Sequence, residues 1–233
     1  MAVYGLDERL WFPDPHEGEP DGLVAVYGDL SPERLLLAYS NGYFPWYSYR
    51  ATAGAIFWYC PLDRFVIFPE EIHISHSMRQ MMHSEKYEVT FNEDFPAVIQ
   101  NCSTAQERNV DFGAWLGPDM IDAYTRMHRL GYASSVEVWE RDSHRLVGGL
   151  YGITLCDCFF GESMFSLVPS ASKLALIHLA RKMKEEGGKL IDCQLETPHL
   201  LTMGGRHITY EQYMSILRKE TGQEISLTPT QNP

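Results

Sequence analysis

The sequence predicts an α+β fold, and two patterns carry that prediction. Between residues 133 and 166, three stretches of alternating apolar and polar residues are separated by short turn-forming segments, which is typical of an antiparallel meander. A long amphipathic helix, a further strand and a final helix follow the meander, an order that favours an α+β domain. The 233 residues, with 45% hydrophobic and 12% aromatic side chains, suffice for one large domain or two small ones.

The first 62 residues are rich in proline, glycine and aromatic residues and contain one well-marked helix. Ser31 is its expected N-cap, Pro32 lies in its first turn, and Asn41-Gly42 ends it. The segment GYFPWYS follows, with four aromatic residues around Pro45. It predicts either a small aromatic core or a platform on which a base stacks.

Three helices and one strand are predicted between residues 76 and 131. An amphipathic helix runs from about His76 to Ser84, YEVTF is a strand, and EDFPAVIQNCS is a short helix. The clearest helix begins at Pro118 and is stopped by Gly131. Trp115 stands in the loop just before it.

The meander consists of ASSVEVWE, RLVGGLYGITL and CFFGESMFS, joined by turns at RDSH and at Cys156-Asp157. Glycine is unfavourable inside a strand unless a bulge or a close approach requires it. The glycines at 148, 149, 152 and 161 are therefore expected to mark bulges or close approaches to a ligand.

The helix after the meander is expected to be capped by Ser170 or Ser172, and Gly187 and Gly188 end it. KLIDCQLE then reads as a strand. Thr209, with Gln212 three residues later, predicts a capping box at the start of the last helix.

Charge and hydropathy exclude several functions. A net charge of −12 argues against gripping a long nucleic-acid duplex, which requires many basic side chains, but permits a cationic partner or a single-stranded end held by stacking. No apolar run approaches the roughly 18 residues that span a bilayer. The acidic N-terminal stretch does not resemble a signal peptide, so a cytoplasmic location is expected.

The five cysteines are scattered and odd in number, and they are expected to be reduced thiols. Cys156 and Cys158 form a single CxC with no second pair to complete a zinc site, so no metal is expected. The sequence also lacks the GxxxxGK[ST] motif of nucleotide hydrolysis and the GxSxG motif of serine hydrolases.

A candidate site is centred on FFGESMFS. With the period of a strand, Phe160, Glu162 and Met164 share one face, so the Glu162 carboxylate has apolar neighbours and must be paired or hydrogen-bonded. In KLIDCQLE the same period places Asp192 and Gln194 on one face, about 7 Å apart.

Two other interpretations of these residues remain open. In the first, the polar side chains belong to the solvated faces of edge strands. In the second, Cys193 is a nucleophile and His178 or His199 is its base. Cys193 lies on the opposite face, however, if Asp192 faces the site.

Several motifs resemble the bacterial leucyl/phenylalanyl-tRNA–protein transferases, in the order in which that family has them, from about residue 22 to residue 215. They are SPERLLLAYSNGYFPWYS, GAWLG, RLVGGLYG, FFGESMFS with SASK after it, and GGKLIDCQ. GESMFS and LIDCQ at this spacing are highly specific.

The resemblance implies a small N-terminal domain, residues 1–62, and a catalytic domain, residues 63–233, with the GNAT acyltransferase fold and a mostly antiparallel sheet. It implies transfer of Leu or Phe, and less readily Met, from Leu-tRNA or Phe-tRNA to the N-terminal amine of proteins that begin with Arg or Lys. The product is then marked for degradation. The family uses neither a metal nor ATP, and no cofactor is expected.

The resemblance also assigns roles to the candidate residues. Gln194 resembles the residue that accepts a hydrogen bond from the attacking amine, and Asp192 resembles the acid that polarises the neighbouring amide. Glu162 resembles the residue that fixes the aminoacyl group. The side-chain pocket would comprise Phe159, Met164, Ile191 and Leu150, which stands where the family has methionine. If both strands are regular, Phe159 and Ile191 face away from Glu162 and Asp192. A bulge at Gly161 would bring Phe159 to the same side as the acids but would not do so for Ile191.

Contacts with tRNA are implied in the same way. Trp46 and Trp115 resemble the pair that stacks the terminal adenine. The helix around residues 76 to 86 is less basic than in the family, and Arg79 and Lys86 are its candidates for the tRNA backbone. Two alternative functions remain: an acetyl-coenzyme A-dependent GNAT acyltransferase, for which PSASK is a poor pyrophosphate loop, and a non-catalytic reader of basic protein N-termini.

Overall fold

The structure is a computed structural model that describes residues 2–47, 55–107, 116–155 and 157–221. In these ranges the strands are β1 (Tyr4–Leu6), β2 (Leu23–Tyr27), β3 (Phe44–Tyr47), β4 (Ile56–Tyr59), β5 (Asp63–Ile67), β6 (Tyr87–Phe91), β7 (Ala133–Glu140), β8 (Arg145–Leu155), β9 (Cys158–Ser166), β10 (Leu190–Gln194) and β11 (Arg206–Thr209). The helices are α1 (Pro32–Ser40), α2 (His76–His83), α3 (Phe95–Glu107), α4 (Pro118–Arg129), α5 (Ala171–Glu186), α6 (Pro198–Leu201) and α7 (Tyr210–Thr221), with short 3₁₀ turns at Pro15–Glu17 and Pro69–Glu71.

The chain divides into two compact units. The first comprises Met1–Arg64, Gln106–Ala123 and Ile208–Pro233, and the second comprises Phe65–Ala105 and Tyr124–His207. The first unit thus combines the N-terminal region with two later segments of the chain. The predicted domain boundary at residues 62/63 stays a prediction.

The first unit contains a four-stranded sheet in the order β1-β2-β4-β3. Its aromatic core is built around Phe12, which stacks on Tyr43 with ring centroids 4.6 Å apart and meets Trp58 edge-on at 5.0 Å. Tyr43 and Phe44 are buried, so the core predicted from GYFPWYS is confirmed for these two side chains. The strands before and after this segment, β1, β2 and β4, were not predicted, because strands of 3 to 5 residues are too short to show a clear period of two.

The second unit is organised by a seven-stranded sheet in the order β11-β5-β10-β9-β8-β7-β6. The meander β7-β8-β9 is antiparallel, as predicted, β6 and β5 add antiparallel neighbours, and β9 and β10 form a parallel pair. The predicted α+β class and the mostly antiparallel sheet are therefore confirmed.

Helices cover both faces of this sheet. On one face, α5 lies so close to β8 that a Cβ added to Gly148 would be 2.3 Å from the Cβ of Ala171. On the other face, the ring of Tyr151 is 5.7 Å from that of Phe95 in α3 and 5.5 Å from that of Tyr124 in α4. Gly148 thus marks a close approach, as predicted, but to a helix and not to a ligand.

Helix ends follow the sequence with one exception. Ser31 caps α1 by accepting from the Arg34 N–H at 3.3 Å, and Thr209 and Gln212 form the predicted capping box of α7. Ser170 stands at the N-cap position of α5 in a left-handed conformation and makes no side-chain cap bond. The hydroxyl of Ser166, at the end of β9, accepts from the Ser172 N–H at 2.9 Å instead, so the tertiary structure supplies this cap.

Candidate active site

Strand β9 contains a bulge at Glu162. Gly161 pairs with Gly152 of β8 and Ser163 pairs with Tyr151, which leaves Glu162 as the extra residue between the two pairs. The sequence could place a bulge near Gly161 but could not show which residue it would expel from the ladder.

The bulge changes which side chains share a face. Leu150 pairs with Met164 and Thr154 with Phe159, and directly opposed residues point to the same side of a sheet. Met164 therefore shares the face of Phe159 and Leu150. The prediction that Phe160, Glu162 and Met164 share one face was wrong for Met164, because the extra residue shifts the alternation.

Strand β10 has a second irregularity, at its C-terminal end. Asp192 pairs with Val66 and Gln194 with Phe65, so Cys193 is an extra residue, and Gln194 has a left-handed φ of 63°. Asp192 Oδ1 accepts from the backbone N–H of Gln194 at 2.8 Å, which holds this tight turn. The prediction that Asp192 and Gln194 lie one regular pleat apart was wrong for that reason.

A cavity of about 400 Å³ opens where β9 and β10 separate. The pairing of the two strands ends at Asp192 opposite Phe160, while β9 continues to Ser166. The cavity is lined by Leu150, Tyr151, Phe159, Gly161, Glu162, Ser163, Met164, Ser172, Leu176, Ile191, Asp192, Cys193, Thr197, His199 and Leu200. The predicted pocket residues therefore meet Glu162 and Asp192 at one cavity even though regular strands would have separated them.

The Glu162 carboxylate is held by two side-chain donors. The Tyr124 hydroxyl donates to Oε2 at 2.7 Å and the Gln194 amide Nε2 donates to Oε1 at 2.9 Å. Glu162 is 9% exposed, so the two bonds offset part of the cost of burying a carboxylate beside apolar side chains. They also join α4, β9 and the end of β10 into one hydrogen-bonded unit.

Two further polar atoms belong to residues that line the cavity. Within the described ranges, the Tyr151 hydroxyl and His199 Nε2 are buried without a hydrogen-bond partner. Burial, followed by the charge of Glu162, raises the pKa of Tyr151 well above its usual value, while burial, followed by the charge of Lys173, lowers the pKa of His199. Both groups are therefore neutral near pH 7 and available for hydrogen bonding.

Comparisons with known proteins identify the family of the chain. The family model described as leucyl/phenylalanyl-tRNA protein transferase matches residues 66–218, and the model of that family's N-terminal domain matches residues 28–62. The chain belongs to this family. It is therefore an enzyme, an aminoacyltransferase with a small N-terminal domain and a larger catalytic one, and the coenzyme A-dependent and non-catalytic alternatives are set aside.

Individual relatives cover nearly the whole chain. A leucyl/phenylalanyl-tRNA–protein transferase of Syntrophobacter fumaroxidans is 46% identical over 97% of this chain and 94% of its own, and one of Syntrophus aciditrophicus is 48% identical over 94% and 89%. Among solved structures, L-PGS from Bacillus licheniformis aligns with 75% of this chain and 54% of its own, at 13% identity and a TM-score of 0.39.

Trp46, Arg79 and Lys86, which are predicted to contact tRNA, are not among the residues that line the cavity. Trp46 is half-buried on β3, with its ring 5.5 Å from that of Tyr59, and Trp115 lies outside the described residues. Arg79 is exposed on α2. Lys86, just before β6, is exposed and lies 3.7 Å from a carboxylate oxygen of Glu140.

The structure adds residues that sequence reasoning missed as part of this site. Tyr124 and Tyr151 were missed because a tyrosine within an apolar pattern is interpreted as a core residue. The one signal in the sequence is that a buried tyrosine hydroxyl needs a hydrogen-bond partner. Cys193 was expected to face away and His199 was only an alternative, but both line the cavity, because the turn after Asp192 ends the regular alternation.

Neither a metal site nor a membrane span is found in the part of the chain that the structure describes. No group of three or more His, Cys, Asp or Glu side chains there is placed to hold a metal ion. No helix in the same ranges has the length and apolarity to cross a bilayer. Cys60, Cys102, Cys158 and Cys193 are not part of a disulfide bond among the described residues, and Cys156 lies outside those residues.

The bond between Tyr124 and Glu162 predicts a loss of stability when the hydroxyl is removed. Tyr124→Phe leaves a buried carboxylate oxygen without this donor and should lower the free energy of unfolding by about 1–3 kcal/mol, measured by urea denaturation. Tyr132→Phe, the same change at a residue that is 38% exposed, is the control and should change stability by less than about 0.5 kcal/mol. Equal stability of the two variants would contradict the prediction.

Proposed function

We propose that this enzyme transfers leucine or phenylalanine, and less readily methionine, from aminoacyl-tRNA to the N-terminal amine of proteins that begin with Arg or Lys. The reaction takes place in the cytosol and marks the product for degradation. One observation carries the proposal: an apolar cavity is lined by Glu162, and the carboxylate of Glu162 accepts a hydrogen bond from the Gln194 side-chain amide.

The reaction needs positioning more than activation. The acceptor's α-amine attacks the ester carbonyl carbon, a C–N bond forms, and the bond from that carbon to the ribose oxygen of the terminal adenosine breaks. The amine loses one proton and the ribose oxygen gains one, so the equation balances without a cofactor. Because the ester is already activated, holding the amine in line with it supplies much of the rate.

Gln194 is the residue that orients the amine. Its Nε2 donates to Glu162, which leaves Oε1 as an acceptor for an N–H of the attacking amine. An amide is a weak base, so the proton passes to the ribose oxygen as the ester bond breaks. Asp192 acts as a positioning residue, because its bond to the Gln194 backbone N–H holds the turn that presents this side chain.

Glu162 and the cavity select the amino acid. The carboxylate is placed to bind the ammonium group of the esterified amino acid, while Leu150, Phe159, Met164 and Ile191 surround its side chain. An apolar pocket discriminates by about 1–3 kcal/mol per misplaced methylene. Side chains branched at Cβ are expected to be poor substrates, because they carry a methyl group at a carbon where leucine and phenylalanine have only hydrogen atoms.

The tRNA is held by its 3′ end. Trp46 and Trp115 stack the terminal adenine, and Arg79 and Lys86 contact the backbone. With a net charge of −12, the enzyme is poorly suited to extended phosphate contacts, so stacking contributes a large share of the affinity.

A transfer assay tests the proposed reaction. Leu-tRNA and Phe-tRNA should donate to a peptide that begins with Arg or Lys, Met-tRNA should be slower, and Ile-tRNA and Val-tRNA should be roughly 10-fold or more below Leu-tRNA in kcat/KM. The product is followed by mass spectrometry. A matched peptide that begins with Glu is the control; equal transfer to it would remove the proposed acceptor specificity, and transfer of Ile as fast as Leu would remove the pocket assignment.

A double-mutant cycle tests whether Glu162 and Gln194 act as one unit. Glu162→Gln and Gln194→Ala should each reduce kcat by at least roughly 10-fold, and the double variant should be little worse than the worse single variant. Gln194→Ala combined with Arg79→Ala is the control pair, in which the two losses should multiply. Multiplicative losses for Glu162 and Gln194 as well would mean that they work independently.

Substitution of Trp46 tests the stacking proposal. Loss of one stacked base contributes roughly 1–3 kcal/mol, so Trp46→Ala, and likewise Trp115→Ala, should raise the apparent KM for aminoacyl-tRNA about 10- to 100-fold. Trp11→Ala, a change at another half-buried tryptophan of the first unit, should leave that KM unchanged. If KM is unaltered in both test variants, the two rings have only a packing role.

A further inference from the structure

A second, smaller cavity lies behind one wall of the aminoacyl pocket. Its volume is about 140 Å³. Its lining consists of Phe91, Asn92, Ser134, Ser135, Val136, Thr154, Asp157, Cys158, Phe159, Leu179, Lys182, Met183, Glu186 and Gly188. Phe159 is the one residue common to the linings of the two cavities.

Helix α5 passes over both spaces. Leu176 lines the larger cavity, and Leu179 and Met183, about one and two turns further along, line the smaller one. Both cavities therefore lie between α5 and the same face of the sheet, and Phe159 stands between them.

The ring of Phe159 leans toward the larger cavity. A Cβ added to Gly152 would lie 2.7 Å from its Cε1 and Cζ atoms, and one added to Gly161 would lie 4.0 Å from Cε1. The ring thus occupies the space above the Gly152–Gly161 pair, on the side away from Thr154, its own partner across the ladder. A change of side-chain rotamer would carry the ring from this space toward the smaller cavity.

The smaller cavity has the size that a ring needs. A void of about 150 Å³ lined by aliphatic and aromatic side chains is known to hold benzene. The apolar part of the lining includes Val136, Leu179 and Met183. The rest of the lining includes polar side chains, among them those of Thr154 and Lys182. Leu150 and Ile191, two other walls of the larger cavity, do not line the smaller one, so Phe159 is the wall with space behind it.

We propose that Phe159 is a movable partition that sets the upper size limit of the aminoacyl pocket. It keeps its present position when leucine is bound and moves into the smaller cavity when the larger phenylalanine side chain enters. This inference rests on the proposed function, and it adds that the residues around the smaller cavity determine specificity without touching the substrate.

Filling the smaller cavity tests the partition. Leu179→Phe places additional ring atoms in that space and should lower the ratio of kcat/KM for Phe-tRNA to that for Leu-tRNA by about 10-fold, the effect of one misplaced methylene, with Leu transfer nearly unchanged. Thr154→Leu, at a half-buried position opposite Phe159, fills the same space from the sheet and should act in the same direction. Leu130→Phe, at a residue that is 56% exposed, is the matched control.

The partition also predicts an interaction between two substitutions. In a Phe159→Leu background no ring requires the smaller cavity, so adding Leu179→Phe should no longer change the Phe/Leu ratio. Ratios unchanged in both filling variants, or equal losses for both amino acids, would overturn the partition. Failure of the unsubstituted enzyme to transfer either amino acid would instead count against the proposed function, so the two failures are distinguishable.

Discussion

The site depends on one constraint: β9 and β10 pair as regular parallel strands for only three residues and then separate. The separation is fixed by an extra residue in each strand, Glu162 in β9 and Cys193 in β10. Each bulge turns a side chain out of the ladder, and together they create a cavity between two strands that would otherwise hydrogen-bond to each other. The neighbouring β8 pairs regularly with β9 on both sides of Glu162, and β8 and α5 also line this opening.

A buried carboxylate at such an opening has both a cost and a use. Its desolvation is offset by the bonds from Tyr124 and Gln194, which in turn fix the position of the only side-chain amide in the group. The same arrangement places a negative charge at the edge of an apolar pocket, which suits a substrate that has an apolar side chain and an ammonium group on one carbon. In the proposed function, electrostatics and shape therefore favour the same class of ligand.

The local network also gives the buried Asp192 a role in positioning Gln194. It is fully buried, and its carboxylate accepts from the Gln194 backbone N–H, so its effect on Gln194 is conformational. A non-glycine residue in the left-handed region is costly by itself, and a hydrogen bond that closes the turn offsets that cost. The hydrogen bond to Asp192 therefore stabilises the backbone conformation that orients the Gln194 side chain.

The sequence by itself determined the antiparallel meander, the helix and the strand that follow it, and the capping box at Thr209, because these signals are local. It also identified Glu162 as a carboxylate that needs partners, and the motifs around it indicated the family. Only the tertiary structure decided which donors satisfy Glu162, which residue each bulge expels, and that Met164 and Ile191 share a cavity with both acids. Those outcomes depend on register between strands that are distant in sequence, and a one-residue shift in register moves every later side chain to the other face.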